Sequence, residues 1–468
     1  MYQIDFSHPI WVHFIGIGGI SMSGLASVLL QAGFTVSGSD SASSDLTRRL
    51  EERGALIQLG QRAENINPKM DLVVYSAAIH PDNPEYAAAL SSGVPMITRA
   101  QLLGEIMANY QTSVAVAGTH GKTTTTSMIS CGAMEAGLDP TISVGGILRS
   151  IGGNIRVGRS ETFIAEACEY TNSFLSLYPK ISVILNIDAD HLDFFKDLSD
   201  IRKSFRAFAE NTAPDGTLVL FADIPDLGGF VEGLSCQVVT FSDRPLPKDE
   251  AVAGISHHYY PEGVTFNELG FASFDLMKDG EYQGHFTLSV PGAHNVTNAI
   301  AALAALEAMG ADLEAAAKGL LSFTGTDRRF ELKGEKNGVR VIDDYAHHPT
   351  EITATLRAAA RYPGKELWVV FQPHTYTRTA ALLDDFATAL CAADHVILAD
   401  IYAAREVNTI GISSKDLEEK MRSLGADALY LPSFEAIKDH LRAHVREGDL
   451  ILTIGAGNVY QVGEDFLR

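Results

Sequence analysis

The feature that most limits what this chain can fold into is the run Ser113 to Ala117, an apolar strand pattern. It passes straight into Gly118-Thr119-His120-Gly121-Lys122-Thr123-Thr124 and then a helical pattern reaching about Ala136. A strand that ends in a glycine loop and re-enters as a helix is the elementary unit of a parallel α/β sheet. It leaves unpaired N–H groups and the positive end of the helix facing whatever sits at the loop. Lys122 adds a charge for terminal phosphates and Thr123 a hydroxyl for magnesium, so the loop reads as a grip on the phosphates of ATP with Mg2+. The spacing departs from the common Walker form, because Val116 stands where its first glycine would be. The consecutive threonines 123 to 126 suit a helix poorly on propensity, and phosphate binding accounts for at least the first.

The same alternation recurs on both sides of the loop. Trp11 to Ile15 runs into Gly16, Gly18 and Gly19, then a helix from Ser21 to Ala32, a strand near Phe34 to Ser37 and another at Leu72 to Tyr75. Ile181 to Leu185 and Leu218 to Phe221 are expected as later strands of the central unit. Val339 to Ile342, Leu367 to Phe371, His395 to Ala399 and Leu450 to Ile454 supply a second Rossmann-like pattern. The fold class is therefore α/β, with a central P-loop domain between two Rossmann-like domains. The expected bounds are 1–108, 109–325 and 326–468, and the 468 residues suffice for three cores. Ser242 to Glu250, with Pro245 and Pro247, reads as a surface loop.

Acidic residues outnumber basic ones by 58 to 36, a formal charge of −22, which argues against a chain built to coat nucleic acid or an anionic membrane. Met1 to His8 has no basic segment before an apolar one, and no apolar stretch is long enough to span a bilayer, so a cytoplasmic location is expected. Cys131, Cys168, Cys236 and Cys391 are scattered, which suggests neither a zinc site nor a disulfide framework.

Further polar clusters fall at strand ends, where α/β proteins bind ligands. Glu166 follows Phe163-Ile164-Ala165, and Asn186, Asp188, Asp190 and His191 follow Ile181 to Leu185, the oxygen-rich composition a magnesium site needs. Gly16-x-Gly18-Gly19 is like a dinucleotide fingerprint, but Ser21 holds the third glycine position and Gly24 comes later. Asp40 would suit a ribose hydroxyl, and the alternative is a simple tight turn. Asp343 to Pro349 and Gln372 to Arg378 follow successive strands and look like one site, in which Arg378 could fork a carboxylate.

Together these residues resemble the Mur ligases, the ATP-dependent amide-forming enzymes of peptidoglycan synthesis, over essentially the whole chain. The resemblance rests on Gly16 to Gly24, Ser37 to Asp40, Gly118 to Thr126, Glu166 to Tyr170, Asn186 to Asp193, Pro291 to Ala302, Asp327 to Glu331, Asp343 to Ile352, Phe371 to Thr379 and Asp400 to Glu406. It implies that UDP-N-acetylmuramate and L-alanine are substrates, that ATP and Mg2+ (or Mn2+) are required, and that the protein is a monomer or weak homodimer. The dinucleotide reading becomes a UDP-substrate site of Gly16, Gly18, Gly19, Ser21, Met22, Ser23, Asp40, Ser76 and Arg99. ATP would meet Gly118, Thr119, His120, Gly121, Lys122, Thr123, Thr124, His294, Asn295, Asn298, Arg328, Asp344 and Tyr345. Metal would meet Thr123, Glu166 and His191, and the amino acid Tyr345, His347, His374 and Arg378. Lys122, Glu166, His191, Arg328 and His347 would be catalytic.

Many relatives carry an acid at Cys168 and an arginine at Thr375, which bears on metal support and on a two-arginine clamp. Cys168 is either an accessible thiol beside the site or a buried inert one. Rival readings are a murein-peptide recycling ligase or a folate polyglutamylating enzyme within the ligase class, and outside it a nicotinamide-dependent oxidoreductase or an ATP-gated binding protein. The oxidoreductase leaves the Gly-Lys-Thr loop without a purpose.

Overall fold

The computed structural model describes residues 3–192, 194–247, 252–404 and 406–468. Met1, Tyr2, Asp193, Arg405 and the end of the expected loop at 248–250 lie outside the described residues. Three sheets are built in chain order. The first has five parallel strands, with Trp11–Ile15 at its centre between Thr35–Asp40 and Leu72–Tyr75, and Leu56–Leu59 and Met96–Thr98 at its edges.

The second sheet has ten strands. Thr112–Ala117 lies between Thr162–Glu166 and Ile181–Ile184, parallel to both. Val114, Ala115, Val116 and Ala117 are fully buried, as expected of a strand covered on both faces. Along one direction the sheet continues through Thr217–Phe221, Gln237–Phe241 and Ile255–Phe266. It then turns antiparallel through Phe271–Lys278 and Glu281–Pro291. That ribbon was not expected from the sequence: Ile255–Phe266 runs buried and then exposed without alternation, and the pairings carry shifts of register.

In the third sheet Leu450–Ile454 lies between Val339–Asp344 and Leu367–Phe371, with His395–Leu398 and Ala428–Tyr430 beyond and Glu331–Lys336 antiparallel at the other edge. Expected strand ends shift slightly. Glu166, Asp343 and Asp344 are the last residues of their strands and do not follow them, because register pairing extends that far: Val116 is opposite Glu166, and Asp344 opposite Ile454. The helix expected from Ser21 to Ala32 spans Ile20–Gln31. Among the described residues no helix is long and apolar enough to cross a membrane.

The first sheet's helices dock closely on the central unit. A Cβ on Gly104, in the helix Arg99–Met107, would sit 1.9 Å from the Ser176 carbonyl oxygen, and one on Gly24 would strike Ile155. Alanine ordinarily favours a helix over glycine by about 1 kcal/mol, but forced overpacking against backbone costs about 1–3 kcal/mol. Gly104→Ala is therefore expected to lower the melting temperature despite its better helix propensity. An unchanged or raised melting temperature would show that the two units are not held this close.

Candidate active site

The switch point of the central sheet shapes the loop Gly118 to Thr124. Gly118 and Gly121 have φ of +145° and +83°, the left-handed region that favours glycine. A Cβ on Gly121 would sit 2.7 Å from Asn298 Oδ1. Asn186 clamps the loop: its Oδ1 accepts from His120 N (2.8 Å) and its Nδ2 donates to His120 O (3.0 Å). Asp188 N donates to Thr119 Oγ1 at 2.9 Å. Asn186, expected among the metal-site acids, instead holds the loop shape.

Lys122 lies folded over the loop, donating to Gly118 O at 2.6 Å, Thr119 O at 3.0 Å and Glu169 Oε1 at 3.0 Å. Burial alone would depress its pKa, but the Glu169 carboxylate outweighs this and raises it, so the ammonium stays charged. Every partner is an acceptor that a phosphate oxygen can replace. Thr123 Oγ1 donates to Glu166 Oε2 at 2.9 Å, and Gly145 N donates to the same oxygen at 2.7 Å. Thr126 instead bonds back to Lys122 O at 2.8 Å, which gives that threonine a structural place in the helix. His191, at φ +53°, lies against Tyr170 with the rings tilted and their centroids 4.7 Å apart, and has Nε2 3.8 Å from Glu169 Oε1.

The donor set of Thr123 hydroxyl, Glu166 carboxylate and His191 imidazole surrounds the loop mouth. Among the described residues no three His, Cys, Asp or Glu side chains form an enclosing metal cage. The Thr123 hydroxyl and the Glu166 carboxylate, 2.9 Å apart, are hard oxygen donors of the kind Mg2+ takes.

Beside the loop is a cavity of about 260 Å3 between the central and C-terminal sheets, lined by His120, Thr124, His294, Asn295, Asn298, Arg329 and Asp344 among others. Burial lowers His294 to about 4, leaving a neutral ring, and raises Asp344 to about 6. Arg328 does not line this cavity. Its guanidinium donates to Asp343 Oδ2 (3.0 Å), Gly457 O (3.0 Å) and Gly455 O (2.6 Å), and it stacks on Tyr345 and Tyr460. The cavity arginine is the neighbouring Arg329, which also lies over Tyr345. The paired Arg-Arg sequence gave no way to choose between them.

On the N-terminal sheet, Gly18 N donates to Asp40 Oδ2 at 2.8 Å, so Asp40 supports the glycine turn. Met22 and Ser23 are buried on the inner side of their helix, while Ser21 and Arg99 line a cavity that also touches Glu166. Ser76 ends its strand in a turn, its carbonyl accepting from Ile79 N at 3.0 Å.

A larger cleft of about 680 Å3 draws Arg99, Cys168, His191, His374, Arg378 and Glu406 from all three units. Cys168 is exposed here, and the cleft's desolvation and Glu169 raise its pKa against Lys122, so it is an accessible thiol and not a thiolate. Arg378 donates through Nε (3.2 Å) and Nη2 (2.9 Å) to Asp190 Oδ1 and meets His374 Nδ1 at 3.1 Å. Burial, His347 and Arg378 lower His374 to about 4, and burial also lowers His347. His348 Nε2 lies 3.2 Å from Ala189 O. His120, on the phosphate loop, lies 3.3 Å from both Asp188 and Glu351.

Family models match this layout in order: the Mur ligase family catalytic domain over residues 11–111, the Mur ligase middle domain over 116–306 and the Mur ligase glutamate ligase domain over 328–457. Curated relatives from Lachnospira eligens and Agathobacter rectalis are 55% and 56% identical over 468 residues, covering all of both chains. The chain belongs to the Mur ligase family. Both relatives are named UDP-N-acetylmuramate--L-alanine ligase. A crystal structure of the UDP-N-acetylmuramate-alanine ligase of Thermotoga maritima superposes with a TM-score of 0.76 at 28% identity, covering 98% of each chain. A murein peptide ligase from Psychrobacter arcticus shares the Mur ligase fold at TM-score 0.68 and 24% identity, covering 98% of each chain.

In this family member the central and C-terminal units meet through charged side chains. Burial alone would lower His120, but Asp188 and Glu351 push it up to about 9. A histidine raised above its ordinary value stabilises the fold fully below about pH 6.5, and that contribution is lost as pH rises through about 9. The melting temperature is therefore expected to fall between pH 7 and pH 10 more steeply in the wild type than in His120→Gln. Parallel curves across that range would remove His120 from the contact.

Proposed function

We propose that the protein is an ATP-dependent ligase that joins L-alanine to the lactoyl carboxylate of UDP-N-acetylmuramate, releasing ADP and phosphate, in the cytoplasmic phase of peptidoglycan synthesis. The observation that supports it most strongly is the single cleft lined by all three units beside the Lys122 loop, in a chain matching two ligases of that name along its full length. A carboxylate is a poor electrophile. Attack of its oxygen on the γ-phosphorus of ATP gives an acyl phosphate and ADP, and the alanine amine then displaces phosphate to form the amide. Lys122 neutralises charge on the transferring phosphoryl group. Mg2+, held by Thr123, Glu166 and His191, would supply further charge neutralisation at the phosphates.

His347 donates from Nδ1 to Tyr345 O at 3.0 Å, which leaves Nε2 as a lone pair, and its lowered pKa keeps it neutral. Its Nε2 can accept a hydrogen bond from the attacking amine, while the burial that keeps the ring neutral also weakens it as a base. His120 and Asp344 line the cavity from the central and C-terminal units, so closer docking of the two would shield the acyl phosphate from hydrolysis.

Lys122→Ala is expected to lower turnover by about 10²–10³-fold or more, as removal of one transition-state charge partner does, with unchanged circular dichroism. A folded variant with full turnover would remove this role. The reading as a whole is checked by mixing protein, Mg-ATP and UDP-N-acetylmuramate with single amino acids and weighing the products. An alanine amide with stoichiometric ADP is expected, while preference for a tripeptide would point to a recycling ligase.

A further inference from the structure

The helix that carries Arg378 is too short to hold itself. Tyr376–Ala381 has six residues, far below the length at which an isolated helix is stable in water. Its own N-cap, Thr375, makes no side-chain cap bond and sits at φ +65°, ψ +146°, a region a β-branched residue adopts only under constraint. The first-turn donors are met from elsewhere in the chain. Glu406 Oε2 accepts from Tyr376 N at 2.6 Å and Thr377 N at 3.0 Å, and its Oε1 accepts from the Thr377 hydroxyl. Two further bonds tie the same segments: Tyr402 N donates to Pro373 O at 2.8 Å, and Thr375 N donates to Tyr402 O at 2.9 Å. Tyr402 and Glu406 thus tie down Pro373–Thr377, the segment that presents His374 and opens the helix presenting Arg378.

We infer that Glu406 is a positioning residue for the amino-acid pocket, holding His374 and Arg378 in register by capping the Arg378 helix from the facing loop. Its oxygens accept three bonds from that helix, which fixes the carboxylate at the edge of the cleft and makes its effect on the amino acid run through His374 and Arg378. This rests on the reading that the cleft takes the amino acid. A cap that sets one pocket should affect one substrate. An error of about 1 Å in a binding group costs up to about 10²-fold, and here it would fall on the amino acid, leaving the nucleotide and UDP-sugar sites on the other two units intact.

The test measures steady-state constants for all three substrates in the wild type, Glu406→Ala, Glu406→Gln and Thr377→Val, with a melting curve for each. The expected result is a rise of about tenfold or more in KM for L-alanine in Glu406→Ala, an intermediate rise in Glu406→Gln, and KM for ATP and UDP-N-acetylmuramate within about twofold of wild type. A KM for alanine within twofold of wild type in Glu406→Ala, or a rise shared by all three substrates, would overturn the inference. If Glu406→Ala does not fold, Thr377→Val decides, since it removes only the hydroxyl bond: a selective rise of about threefold supports the cap, and no change overturns it. A wild type that makes no alanine amide would sink the proposed function itself, whereas alanine turnover with an indifferent Glu406 would sink only the cap.

Discussion

The strand Thr112–Ala117 is hydrogen-bonded on both edges to parallel neighbours and is apolar on both faces. Parallel pairing places the carboxyl ends of all three strands on one rim, and at this strand the chain order of the sheet reverses, opening a crevice. The phosphate loop leaves the middle strand, Glu166 ends one neighbour, and Asn186 to His191 follow the other. Polar side chains from segments 43 to 69 residues apart in sequence therefore meet there. Without the buried central strand the loop would lack both its clamp, Asn186, and its charge partners.

Contacts between units follow a different logic. The central and C-terminal units meet through His120 with Glu351, His348 with Ala189 O, and Arg378 with Asp190. Burying charges costs most of what their attraction returns, while stripping one partner from a buried pair costs about 3–5 kcal/mol. Such contacts fix which docking is allowed more than they add stability. All three attach to the Gly118–Thr124 loop or to the segment Asp188–Asp190 beside it, so the C-terminal unit docks on the loop's own surroundings. The N-terminal unit instead packs through Gly24 and Gly104, where only the absence of a side chain permits the approach.

Much of the centre was legible in the sequence because it is local. Strand, glycine loop and helix are contiguous, and Lys122 and Thr123 take their places from that geometry alone. What was not legible depends on side-chain direction. Arg328 and Arg329 are adjacent, and a backbone with Arg328 at φ +63° turns the first into the C-terminal sheet while the second lines the cavity beside the loop. Met22 and Ser23 sit in the glycine-rich segment but on the buried side of its helix. Glu406 ends one of the motifs that carry the resemblance, but its role was not legible, since its partners lie 29 and 30 residues earlier in the chain.

The sequence by itself determined the α/β class, the parallel units and the phosphate loop, because these follow from apolar periodicity and from glycines at a strand-to-helix turn. Only the tertiary structure decided which charged groups meet. Arg378, read from sequence as a fork for a substrate carboxylate, is held by Asp190. Lys122, read as a phosphate ligand, is held by Glu169 across a neighbouring strand. The physical reason is that charge pairing depends on distances of a few ångströms between segments far apart in the chain, and those distances exist only once the sheets have formed and docked.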